Sequence, residues 1–231
     1  MTTTPAGRTR TSQRPTKGVV LTALVLFAVA CDASVIPPLP AADAFEFRLD
    51  TQPPLVVRWP TGSTVRVHVV DGGAAGPSAL REALAAGMAS WNAQVLSNEF
   101  ALAETDDAAS ADVLLAWSDA VLPVQTDGCP RAGGRATTTF CLDGSRLYRY
   151  PLTTADNSHI TMLVTIASLL ATSSVLDATV THELGHVLGI MRHSDQADDL
   201  MWAGDLVRGT PSTRDAATLK ALYRTRADVS P

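Results

Sequence analysis

The chain has 231 residues, 46% of them hydrophobic, which is enough to bury one sizeable core. Its formal net charge is −5, but Arg8, Arg10, Arg14 and Lys17 all fall in a first stretch that has no acid. The remainder holds 14 basic against 23 acidic residues, a net of −9, with Lys220 its only lysine; such a surface repels phosphate backbones and argues against a nucleic-acid partner.

The basic start leads into VVLTALVLFAVA, Val19 to Ala30. These twelve apolar-rich residues are too few to span a bilayer. Residues 1–30 therefore read as a signal peptide ending in the Ala28-Val29-Ala30 cleavage site. Cys31 follows at once. Alanine and then cysteine resemble a bacterial lipobox, with Ala28 where its usual leucine stands, and the resemblance implies acylation of Cys31. Plain secretion after cleavage before Cys31 is the alternative. Both place the chain outside the cytoplasm, either in the cell envelope (periplasm or outer surface), on a lipid anchor that is its only membrane contact, or free. Residues 31–60, with Pro37, Pro38, Pro40, Pro53 and Pro54, read as a stiff tether, and residues 61–231 as one folded domain, expected to be a monomer.

Within that domain, TVRVHVV from Thr64 sets Val65, Val67 and Val69 on one face of a strand. A Gly-rich loop precedes a helix striped by Leu80, Leu84, Met88, Trp91 and Val95. VLLAW at 113–117 is a short buried strand. The stretch from Ser118 to Asp156 is irregular, with two short strands in TTTFC and RLYRY. It also holds Cys129 and Cys141, which an exported chain pairs as a disulfide, two free thiols being the alternative. HITMLVTIA from His159 alternates Ile160, Met162, Val164 and Ile166, another strand. The next helix starts at Ser174, an N-cap with Asp177 as its box partner, and carries the stripe Leu176, Val180, Leu184 and Leu188.

On that helix lies His182-Glu183-Leu184-Gly185-His186, an H-E-x-x-H pattern. Residues four apart share a helix face, so both imidazoles can bind one metal ion, about 200° from the apolar stripe. Glu183 is placed to take a proton from a water at that metal. A catalytic zinc takes three protein ligands, and His193 is the candidate for the third. Gly189 can turn the chain back toward the metal with φ > 0. No glutamate follows Glu183; Asp195, Asp198, Asp199 and Asp205 remain as carboxylate alternatives, ranked below His193 because an aspartate-rich turn is ordinarily solvated.

His182, Glu183, His186, Gly189, His193 and, eight residues on, Met201 together resemble the metzincin zinc peptidases, most closely the matrixins. The strict pattern has its third histidine at 192, where this chain has Arg192, so one residue is inserted among Ile190, Met191 and Arg192. The resemblance extends over roughly residues 64–225 but is specific only in the zinc segment. It implies an α+β fold: a twisted mixed sheet with a long helix, an active-site helix, a Met-turn at Met201 with Trp202 beside it, and a C-terminal helix. That last helix starts at Ser212 with Asp215 three residues on, and turns Leu219, Leu222 and Tyr223 inward.

It further implies hydrolysis of internal peptide bonds in a protein or peptide substrate, with one catalytic Zn2+ and Glu183 as general base. A structural Ca2+ is possible, since aspartates are plentiful. A second zinc of the matrixin kind is not expected, because only His68 and His159 are left to bind it. Two rival readings are a zinc-binding but catalytically weak pseudo-peptidase acting as a binding module, and an exported lipoprotein in which the motif is accidental.

Overall fold

The computed structural model describes residues 43–95, 98–122, 135–143, 146–148 and 160–231, all in the unit Pro37–Pro231. The signal-peptide residues, Cys31, Cys129 and His159 lie outside the described residues, and of Cys141 only the backbone is described.

In chain order the elements are β1 (Ser63–Val69), α1 (Ser78–Asn92), β2 (Phe100–Glu104), β3 (Val113–Trp117), β4 (Ala136–Thr139), β5 (Cys141–Asp143), β6 (Arg146–Tyr148), β7 (Met162–Ile166), α2 (Leu176–Val187) and α3 (Thr213–Arg224). Five strands form a mixed sheet in the order β2-β1-β3-β7-β4. The first four run parallel, and β4 pairs antiparallel with β7, Thr138 opposite Val164, at the edge. β5 and β6 make a separate hairpin. The α+β class expected from the sequence is the one observed.

Parallel strands are covered on both faces, which is why VLLAW is apolar throughout and wholly buried. Val113, Leu115 and Trp117 enter the main core, while Leu114 and Ala116 join Ile160 and Leu163 in a second cluster. The main core lies between the sheet and helices α1 and α2. Gly87 lets α1 approach α2 closely, since a Cβ there would come within 2.9 Å of Leu184 and 3.1 Å of Thr181. The buried Trp91 indole adds a hydrogen bond to the Thr181 carbonyl at 2.7 Å. Among the described residues, no helix is long and apolar enough to cross a membrane.

Four local expectations change. β2 was not foreseen. The first helix ends at Asn92, so Val95 lies beyond it. α2 starts at Leu176 behind Val175, not at a Ser174 cap, because a 3-10 turn leads into it and the Ser173 carbonyl already accepts the Leu176 N–H. The tether reading fails from Asp43 onward. Phe47, Val56, Val57 and Trp59 are buried, and the chain bridges Leu49 to Leu55 and Val57 to Val229. Its prolines punctuate a segment packed on the domain. α3 is as expected: Ser212 caps it with a full capping box to Asp215, and Leu219, Leu222 and Tyr223 are buried.

Candidate metal centre

α2 brings His182 and His186 to the floor of a cleft of about 860 Å³, with Glu183 between them in sequence. The helix ends in a Schellman turn: Gly189 N–H bonds the His186 carbonyl and Ile190 N–H the Gly185 carbonyl, with Gly189 at φ 110°. Any side chain at Gly189 would also overlap the Val57 carbonyl. Two further carbonyls at this end are satisfied from outside, Val187 by the Trp59 indole (2.8 Å) and Leu188 by the Tyr223 hydroxyl (3.4 Å).

Beyond the turn, His193 returns to the helix. The ligand atoms of His182, His186 and His193 lie within 4.8 Å of one another. His186 Nε2 and His193 Nε2 are 3.3 Å apart, close to the edge of a tetrahedron with metal–nitrogen bonds of about 2.0–2.1 Å. His182 Nδ1 donates to the Leu200 carbonyl (2.7 Å) and His186 Nδ1 to the Ile190 carbonyl (2.6 Å). Both bonds fix the tautomer that leaves Nε2 as a lone pair. Burial, with His186 adding to it at His182, pushes both imidazoles down to about 4, and burial also lowers His193. Neutral, oriented nitrogens in this arrangement fit a tetrahedral metal with one position left open.

Met191 and Arg192, where comparison with the matrixin pattern puts one extra residue, are held by the segment 47–50. Met191 N–H bonds the Phe47 carbonyl at 2.9 Å, and Arg192 pairs with Asp50 at 2.7 Å. The aspartate alternatives are engaged elsewhere. Asp199 is buried and accepts from the hydroxyls of Ser194 and Ser212 (2.6 Å for the latter), and pairs with Arg214 at 3.1 Å. Asp195 pairs with Arg214 and Asp205 with Arg135, each at 3.0 Å. Asp198 is likewise outside the three-histidine grouping.

Met201 is fully buried beneath α2. A Cβ on Gly185 would overlap its sulfur and crowd Trp91, which gives the glycine of the motif a packing reason. The turn hangs on Asp215, also fully buried, which accepts from the backbone N–H groups of Leu200 (2.8 Å), Met201 (3.2 Å) and Ser212 (2.7 Å). Sequence reading gave Asp215 only its capping role.

Glu183 is buried, at 5% exposure, and burial raises the pKa of its carboxyl. Its Oε2 accepts from Thr138 Oγ1 at 2.6 Å. Sequence reading missed this residue: nothing in TTTF separates Thr138 from Thr137 or Thr139. The cleft runs between β4 and the segment after Met201, where Trp202 and Leu206 also line it.

Comparison with protein families gives a match over residues 54–210 to the family described as dual-action HEIGH metallo-peptidase. No match is found among curated proteins. The matched span contains the three histidines, Glu183 and Met201, and this chain reads His-Glu-Leu-Gly-His where the family's description has HEIGH. The match supports the metallopeptidase class and does not extend to the matrixin branch that the zinc segment resembles. The chain belongs to the dual-action HEIGH metallo-peptidase family.

Proposed function

We propose that the protein is an exported zinc-dependent endopeptidase, with His182, His186 and His193 as the metal ligands and Glu183 as the general base. The observation that carries this is the convergence of three neutral imidazoles beside a buried carboxylate at the floor of an open cleft. Bound zinc would supply Lewis acidity, polarising the scissile carbonyl and acidifying a water.

The chain supplies the rest. β4 offers its outer edge to an extended peptide, whose backbone can pair with the strand along the cleft. Glu183 takes a proton from the attacking water, whose oxygen bonds to the carbonyl carbon. As the C–N bond breaks, Glu183 passes that proton to the leaving nitrogen. Net, one water is consumed and an amine and a carboxylate are released. Met201 and the Asp215-held turn keep the floor rigid beneath the ligands, as in the matrixin-like arrangement the zinc segment resembles.

The test pairs zinc stoichiometry with cleavage of a denatured protein by the chain from residue 32 and by its Glu183→Ala variant. One zinc per chain in both, with turnover lost by about 10²–10⁴-fold in the variant, is the expected result. Wild-type turnover by the variant would refute the base. Zinc without cleavage by either protein would favour the binding-module reading. Export, with cleavage at Ala30 and lipid on Cys31, is tested by the mass of the mature N-terminus from membranes. Peptide mapping without reductant tests the Cys129–Cys141 disulfide.

A further inference from the structure

We infer that Thr138 is the positioning residue of the base: its hydroxyl holds the Glu183 carboxylate by Oε2 and leaves Oε1 to receive the proton. The inference rests on Glu183 being the base. Thr138 Oγ1 lies 2.6 Å from Glu183 Oε2 and 3.2 Å from the Glu183 backbone oxygen, and its one proton serves the charged acceptor. Among the described residues, Thr138 is the one residue that donates to the carboxylate, its backbone N–H adding a smaller contribution to that of the hydroxyl. A glutamate side chain has three rotatable bonds, and a single strong anchor decides where its free oxygen points.

The anchor is mounted on the sheet. Thr138 stands opposite Val164 in the β4–β7 ladder, and β7 is paired in turn with β3. Alternation along β4 turns neighbouring side chains to opposite faces. The Thr137 hydroxyl donates to the Ala136 carbonyl, and Thr139 is buried at 5% exposure. The middle threonine bonds the helix, at Glu183. The strand that would carry an extended substrate thereby also sets the oxygen that must meet the water, so the two are aligned by one element. Ala136 and Phe140, on the same face as Thr138, line the cleft with it.

The experiment compares the full chain with Thr138→Val, which keeps the shape and removes the hydroxyl, and Thr138→Ser, which keeps the hydroxyl. The expected result is a fall in kcat of about 10- to 100-fold for Thr138→Val, with KM within about twofold and zinc content unchanged. Thr138→Ser should stay within about threefold of wild type. On a Glu183→Ala background, Thr138→Val should cost nothing further. A Thr138→Val kcat within twofold of wild type, or an undiminished loss on that background, would overturn the inference.

A merely structural threonine would move Tm and KM and would not be rescued by serine. If Glu183→Ala keeps full turnover, the base itself is wrong; if it is dead while Thr138→Val is not, only the positioning role is. Cobalt-substituted protein gives a readout that needs no turnover. Thr138→Val should shift its visible bands in the direction of Glu183→Ala, and a spectrum superimposable on wild type would count against the role.

Discussion

The helix that carries His182 and His186 and the loop that carries His193 end at one point, but different forces bring them there. α2 is fixed from behind by apolar packing: Leu184 against α1 at Gly87, Trp91 under Thr181, Val180 and Val187 in the core. The loop 189–202 also buries Ile190, Leu200 and Met201, but it is tied in addition by polar bonds to Asp199 and Asp215 and by the strap of residues 47–57. Apolar packing is spread over many contacts, so losing one side chain lowers stability without redirecting the helix. A buried polar network concentrates the same job in a few atoms. Two ligands should therefore tolerate core substitutions, while the third should be lost to single polar deletions.

The largest effect expected is that of Asp215→Ala. Three buried N–H groups lose their acceptor, at about 1–3 kcal/mol each, so urea unfolding should show a loss of about 4 kcal/mol or more. Leu84→Ala on α1, also fully buried, should cost about 2–5 kcal/mol, a similar amount. The two differ in metal affinity. Competition against a chelator should show zinc bound at least tenfold more weakly by folded Asp215→Ala, and within about threefold of wild type by Leu84→Ala. Equal weakening in both would erase the distinction between helix and loop.

Gly189→Ala comes next. The residue must hold φ 110° and would press a methyl into the Val57 carbonyl, a backbone atom that cannot rotate aside. The conformational strain alone costs about 1–3 kcal/mol. Because the same turn delivers His193 and presents Ile190 to His186, zinc affinity should fall with stability.

The sequence displayed the two regions unequally, for the same reason. A helix announces itself through periodic apolar residues, and the spacing of Leu176, Val180 and Leu184 by itself puts the histidines on the opposite face. VLLAW is as plain, because parallel strands have no solvent face. β2 was hidden by its alanines: Ala101 and Ala103 erase the contrast with buried Phe100 and Leu102. Trp59 and Val56 were hidden by the prolines around them, which suit a packed irregular segment as well as an extended one. His193 was legible as a residue type, but the strap that accommodates its insertion is more than 130 positions away in the chain. Hydrogen bonds across such distances leave no periodic trace, which is also why Thr138 was not singled out; Asp199 was named only as a ligand alternative, and its bonds to Ser194 and Ser212 were not foreseen.

Acid should separate the regions in metal-free protein. His182 and His186 are held by burial at about 4, below their ordinary 6.5, so the unfolded chain binds these protons more readily. Stability is then fully present above about pH 6.5, falls as pH drops toward 4, and levels off below, as far as these two groups govern it. Thermal melts of the chelated protein between pH 7 and 4 should show that decline, and His182→Gln should flatten it. Zinc-loaded protein should start higher, by an amount set by metal concentration over Kd, and lose that advantage as protons displace the metal.

The smallest effect belongs to the strap's surface contact. Arg192 and Asp50 pair at 2.7 Å, but their side chains are 42% and 70% exposed, so screening and side-chain entropy offset most of the attraction. Asp50→Ala should change stability by less than about 1 kcal/mol, and zinc affinity by less than about threefold. The buried Phe47 carbonyl bond to Met191 N–H then remains as the main grip on the inserted residue. Deleting Arg192, which restores the strict motif spacing, sharpens the point. If the strap governs the loop, the shortened chain must give up either the Met191 bond or the approach of His193, and its zinc affinity should fall. A rise on deletion would instead show that the insertion strains the site and the strap merely tolerates it.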